Sequence, residues 1–106
     1  MTEQGRPTKI SFVYSNPTDP DAFETAYPDQ IALARKLPGL TRLQASKVWP
    51  KEDDSPTPTY RLLDLYFADY TAASAAAAEA GPLVAATVEH ATGGVMIAFA
   101  EVLEDA

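Results

Sequence analysis

Asp64 stands between Leu63 and Leu65 in an apolar run, and it is the first residue of this chain to read for chemistry. Desolvation disfavours the charged form of a carboxylate, so an acid in such a run is a candidate general acid or base. The competing assignment makes it half of a structural ion pair with Lys47 on a neighbouring strand. Tyr14, Tyr60 and Tyr66, with Phe12 and Trp49, could hydrogen-bond or stack on a small apolar or aromatic molecule, although core and interface packing explains such residues equally well. The one histidine, His90, precedes Gly93-Gly94 at the end of a predicted helix, which favours a capping or surface role. Asp53 and Asp54 lie in a polar loop without companions at ligand spacing, so no metal is expected. Gly93-Gly94 lacks the context of a phosphate loop. Without cysteine there is no thiolate nucleophile, disulfide or Cys-based zinc site. No cofactor is expected.

Several elements must position these residues. Lys9 to Ser15 is a β-branched and aromatic run that ends at Asn16-Pro17 and predicts a first strand. Thr18 or Asp19 can cap a helix with Pro20 in its first turn, and Phe23, Tyr27, Ile31 and Ala34 recur at near-helical spacing before Pro38-Gly39. Pro28 lies inside this segment, where it removes a backbone bond, so a break or kink is expected. Leu40 to Trp49 reads as a second strand, with Leu43, Ala45, Lys47 and Trp49 on one side. The proline-rich stretch Pro50 to Thr59 reads as an exposed loop, and Tyr60 to Phe67 as a third strand. Asp69 caps an alanine-rich helix that Gly81-Pro82 divides, and Val95 to Leu103 closes the chain with a fourth strand.

The order βαββαβ predicts an α+β ferredoxin-like sandwich, a four-stranded antiparallel sheet with both helical regions on one face. Leu63, Leu65 and Phe67 should face the helices. The other face is then expected to present Tyr60, Leu62, Asp64 and Tyr66, with Trp49 and Lys47 from the second strand and Phe12 and Tyr14 from the first. So many aromatic rings on an uncovered face would form an exposed patch, so the sheet is expected to close on a second copy as a homodimer.

Composition narrows the partners. At 106 residues the chain should be one domain, spanning 9–104, with 1–8 as a disordered N-terminal tail. Fifteen acidic residues against eight basic ones give a net charge of −7, and no Lys or Arg follows Arg61. Nucleic acid and anionic membrane surfaces depend on clustered bases and are not expected partners. The apolar runs are too short for a membrane span, and the first residues lack an apolar leader core, so a cytoplasmic protein is expected.

Phe23 and Tyr27, the segment Leu33-Ala34-Arg35-Lys36-Leu37-Pro38-Gly39-Leu40, Tyr60-Arg61-Leu62 with Leu65-Tyr66-Phe67, and Ala91-Thr92-Gly93-Gly94-Val95 together resemble the EthD family. That family takes its name from a protein of ethyl tert-butyl ether degradation. The resemblance implies a dimeric α/β barrel, in which two sheets pack face to face around a central cavity that would hold the small molecule. Relatives in the superfamily include cofactor-free isomerases, polyketide cyclases, monooxygenases and decarboxylases, as well as haem-binding proteins. The resemblance thus implies either a binding protein accessory to catabolism or secondary metabolism, or a cofactor-free enzyme with Asp64 as acid or base. Many members carry a histidine and a proline where this chain has Gln30 and Ala32. An amide does not titrate near neutral pH, so Gln30 cannot transfer a proton, but it can orient a carbonyl or hydroxyl.

Overall fold

A computed structural model describes residues 6–105 of the chain. Strand β1 (Thr8–Tyr14) leads to helix α1 (Pro20–Arg35), strands β2 (Leu40–Lys47) and β3 (Arg61–Phe67), helices α2 (Tyr70–Ala77) and α3 (Gly81–His90), and strand β4 (Val95–Glu101). The four strands form one sheet in the order β2-β3-β1-β4, and every neighbouring pair is antiparallel. This is the expected ferredoxin-like βαββαβ sandwich, with its second helical region in two pieces. The first strand begins one residue inside the segment expected to be a tail, where Thr8 is buried and the Pro7 carbonyl accepts from Val102 N–H. Residues 1–5 of that segment lie outside the described residues.

Local chemistry explains the ends of the helices. The Asp19 carboxylate accepts from Ala22 N–H at the start of α1, and Asp69 accepts from Ala72 N–H at the start of α2. Helix α1 runs unbroken through Pro28, so the expected break does not occur. A proline removes only one helical hydrogen bond, and the buried face on either side holds the helix against the sheet. Two motif glycines meet backbone requirements. Gly39 has φ +80°, a conformation that turns the chain from α1 into β2 without a side-chain penalty. At Gly93 a Cβ would overlap the Asn16 carbonyl oxygen, so only glycine lets the turn before β4 lie against the end of β1.

The core lies between the sheet and the helices. Ile10, Phe12, Tyr14, Leu63, Leu65 and Phe67 enter it from the sheet, and Phe23, Tyr27, Ala34, Ala73, Ala76 and Leu83 enter it from the helices. Leu63, Leu65 and Phe67 face the helices as expected. Phe12 and Tyr14 face them as well, which corrects their assignment to the uncovered face. In β1 the alternate set Thr8, Ile10, Phe12 and Tyr14 is buried, leaving Lys9, Ser11 and Val13 on the other side. The polar pair Lys9 and Ser11 carries the phase of that strand, because an unpaired ammonium is expensive to bury.

Candidate functional site

The structure divides the sequence-derived site residues between two places. The first lies under α1. Phe23, Tyr27, Gln30 and Ala34 form the buried stripe of that helix, at spacings of four, three and four that return to one face. Gln30 thus occupies the stripe where Ile31 was expected, and its side chain has no exposed surface. Its polarity hides it from a search for apolar periodicity; the spacing from Phe23 and Tyr27 is the signal that would have found it.

Around Gln30 the aromatic rings form a connected shell. The Tyr14 ring meets Phe23 edge-on at 5.3 Å and Tyr27 at 5.8 Å, Phe23 stacks on Tyr27 at 5.1 Å, and Phe12 lies 6.3 Å from Tyr14. The Tyr14 hydroxyl donates to Gln30 Oε1 at 3.1 Å, and Thr87 Oγ1, from α3, lies 3.4 Å from the same oxygen. Gln30 Nε2 and the Tyr27 hydroxyl are buried without a hydrogen-bond partner among the described residues. Burial pushes the Tyr27 phenol up to about 12 and raises that of Tyr14 still further, so both stay protonated over the physiological range.

Tyr60 ends this shell at the surface. Contrary to expectation it sits on the helix side, just before β3, where its ring meets Phe23 edge-on at 5.1 Å and its hydroxyl donates to Glu24 Oε2 at 2.5 Å. That hydrogen bond to an anion holds the Tyr60 phenol above its ordinary value. Arg61 stacks over the Tyr60 ring at 4.4 Å and pairs with the same Glu24 oxygen. Tyr60, Arg61, Glu24, Lys47 and Thr59 line an open cleft of about 480 Å³. A continuous series of rings thus runs from the rim of this cleft at Tyr60, through Phe23 and Tyr27, to Tyr14 and the Gln30 amide.

The second place is the sheet face without helices, where Asp64 and Tyr66 do project. Asp64 Oδ1 accepts from Ser11 Oγ at 2.5 Å and lies 3.6 Å from Lys9 Nζ. Its ionic partner is therefore Lys9 on β1. Lys47 pairs in register with Arg61, and the alternation from Asp64 puts both on the opposite face. Tyr66 lies beneath Lys9 and Arg42, 5.8 Å and 5.2 Å from its ring, and its hydroxyl donates to Gln44 Oε1 at 3.3 Å. Trp49 is 80% exposed beyond the end of β2 and lines neither place. His90 is the last residue of α3 and lies 3.8 Å from Glu89. Among the described residues no group of three His, Cys, Asp or Glu side chains converges as a metal site would require, and no helix is long and apolar enough to cross a membrane.

These features define a ferredoxin-like α+β protein with an aromatic interior under α1 and a polar network on its open face. No family model matches the chain. An uncharacterized 11.0 kDa protein from the thcB-thcC intergenic region of Rhodococcus erythropolis is 33% identical over 96 residues, covering 88% of this chain and 92% of that protein. Three solved structures share the fold. An ethyl tert-butyl ether D (EthD) family protein from Bacillus halodurans superposes with a TM-score of 0.82 at 20% identity, over 92% of this chain and 99% of its own. A dimeric ferredoxin-like protein of unknown function from Thermobifida fusca gives 0.68 at 11% identity, over 96% of each chain. SnoaB, a cofactor-independent oxygenase from Streptomyces nogalater, gives 0.64 at 15% identity, over 96% of this chain and 95% of its own. The chain belongs to the same family as the Rhodococcus protein, and it shares its fold with the Bacillus EthD family structure.

Proposed function

We propose that this is a homodimeric EthD-type protein that binds a small apolar or aromatic molecule, as an accessory to catabolism like that of ethers or to secondary metabolism. The observation that carries the reading is the open cleft whose rim ring, Tyr60, packs on the aromatic cluster of Phe12, Tyr14, Phe23 and Tyr27 around a buried amide. Apolar interiors of small domains seldom retain a glutamine, because its amide must find partners there. The dimer is supported by the Thermobifida neighbour and by the open face, where Val13, Leu62, Tyr66 and Met96 accompany the polar network without a covering layer.

Native mass spectrometry of freshly purified protein tests both parts. A dimer carrying a reproducible extra mass is expected; a monomer overturns the dimer. A ligand-free protein that also fails to bind any apolar aromatic probe overturns the binding role.

A second reading rests on Asp64, whose carboxylate projects from the middle of the face that a second copy would cover. In a cofactor-free isomerase, cyclase, decarboxylase or monooxygenase it would serve as acid or base, and the shared fold with SnoaB supports that class. Replacing Asp64 with Asn should then abolish turnover and leave ligand affinity nearly intact. Unchanged turnover rejects Asp64 as the acid or base.

A further inference from the structure

The open cleft at Tyr60 carries more positive charge than its own residues answer. Lys47 on β2 and Arg61 on β3 stand directly opposite each other across the antiparallel pair, and both line the cleft. Like charges so placed on one face of a sheet repel. Glu24, from α1, is the one acid in the lining, and it is already engaged: its Oε2 accepts from both Arg61 and the Tyr60 hydroxyl. Arg61 is fixed by that contact, by the Tyr60 carbonyl and by stacking on the Tyr60 ring. The neutral polar side chains of the lining are satisfied within the chain as well. Asn16 and Thr57 hydrogen-bond each other, and the Thr59 hydroxyl donates to the Tyr14 carbonyl. Lys47, by contrast, has no ionic partner among the described residues, so its three N–H donors are open to a group from outside the chain. The chain as a whole has a net charge of −7, so two cations beside one engaged acid are a local feature and not part of a basic surface. Val48, Pro50 and the Tyr60 ring supply apolar surface in the same cleft.

We propose that the molecule bound in this cleft is an apolar or aromatic carboxylate, whose oxygens accept from Lys47 Nζ beside the Arg61 guanidinium while its hydrocarbon part lies against Val48, Pro50 and Tyr60. This rests on the binding role proposed above and names the chemical class of its ligand. Lys47 is exposed on a flexible stem and makes the direct contact, whereas Arg61, held by Glu24 and Tyr60, supplies a fixed positive charge next to it. A carboxylate between them also relieves the repulsion of the two opposed cations. A neutral molecule of the same shape would gain the apolar contacts and leave that repulsion in place.

The test uses a matched set of probes on the full-length protein by titration calorimetry at neutral pH and low salt: naphthoate, naphthamide and naphthylmethylamine, which share a ring system and differ in charge. Naphthoate should bind about tenfold more tightly than naphthamide, the effect of one charge-assisted hydrogen bond. In Lys47→Gln that preference should shrink to within about threefold, with naphthamide affinity unchanged. Lys36→Gln removes the same charge at the end of α1, outside the cleft, and should keep the preference. Equal affinities of the acid and the amide for the wild-type protein overturn the inference and leave the aromatic binding role standing. Tightest binding of the amine also overturns it, since Glu24 would then govern the cleft. A preference that survives Lys47→Gln, or falls equally in Lys36→Gln, overturns it too, because the charge would then act from elsewhere. Failure of all three probes to bind removes the binding role itself.

Discussion

The two faces of the sheet treat polar side chains in opposite ways. On the open face Asp64 is answered on its own surface, by Ser11 and Lys9 on the adjacent strand, and Tyr66 is flanked by Lys9, Arg42 and Gln44. Under the helices Gln30 is only half answered: its oxygen has partners and its nitrogen has none among the described residues. A partly hydrated face tolerates exchange between protein and water partners, whereas a closed apolar interior turns an unmatched donor into a standing cost. Asp64, the most conspicuous candidate in the sequence, sits in a network that is complete by itself.

The comparison can be broken most sharply by removing equivalent leucines from the two faces. Leu65→Ala should cost about 2–5 kcal/mol in urea unfolding, the range for a fully buried leucine that leaves a cavity. Leu62→Ala, on the open face, should cost less, and its effect should grow with protein concentration if a second copy covers that face. Equal and concentration-independent losses would refute the division of the sheet into a sealed face and a docking face. Gly93→Ala should cost about 1–3 kcal/mol, because the new Cβ must displace the Asn16 backbone, whereas the same change at the more open Gly81 should be mild.

The interior should also reveal itself at alkaline pH. Tyr14 and Tyr27 are raised in the folded protein above their ordinary value of 10.0, so the unfolded chain loses these protons first. Their stabilising contribution is fully present below pH 10 and declines as the pH rises through 10 toward 12 and beyond. Thermal melts should fall across that window, and Tyr27→Phe should flatten part of the fall. An unchanged slope would mean that Tyr27 is not sealed from water.

The smallest effect belongs to the open face. Asp64→Asn should cost no more than about 1 kcal/mol, with most of that difference lost in high salt, as for a partly solvated ion pair. A larger, salt-insensitive loss would place Asp64 in a dry interface and sharpen the case for closure of two sheets around it.

Much of the architecture was legible in the chain. The alternation in Leu63, Leu65 and Phe67, the capping aspartates Asp19 and Asp69, and the glycines before β2 and β4 are local features, and each has the structural consequence its chemistry dictates. The candidate site was less legible. Asp64 and Tyr66 project from the expected face, but Phe12 and Tyr14 are turned to the other, because Lys9 and Ser11 alternate with them and hold the uncovered side of β1. Trp49 and Tyr60 fall beyond the strand ends, where alternation no longer governs direction.

The sequence by itself determined the order of elements, their ends and the helix-facing residues of β3, since these depend on propensity, capping and period within a few residues of chain. Tertiary structure alone decided that Lys9, rather than Lys47, answers Asp64, and that Gln30 on α1, Tyr14 on β1 and Thr87 on α3 meet. Those contacts join positions 16 and 57 residues apart, and only the packing of α1 and α3 over the sheet brings them within hydrogen-bond reach.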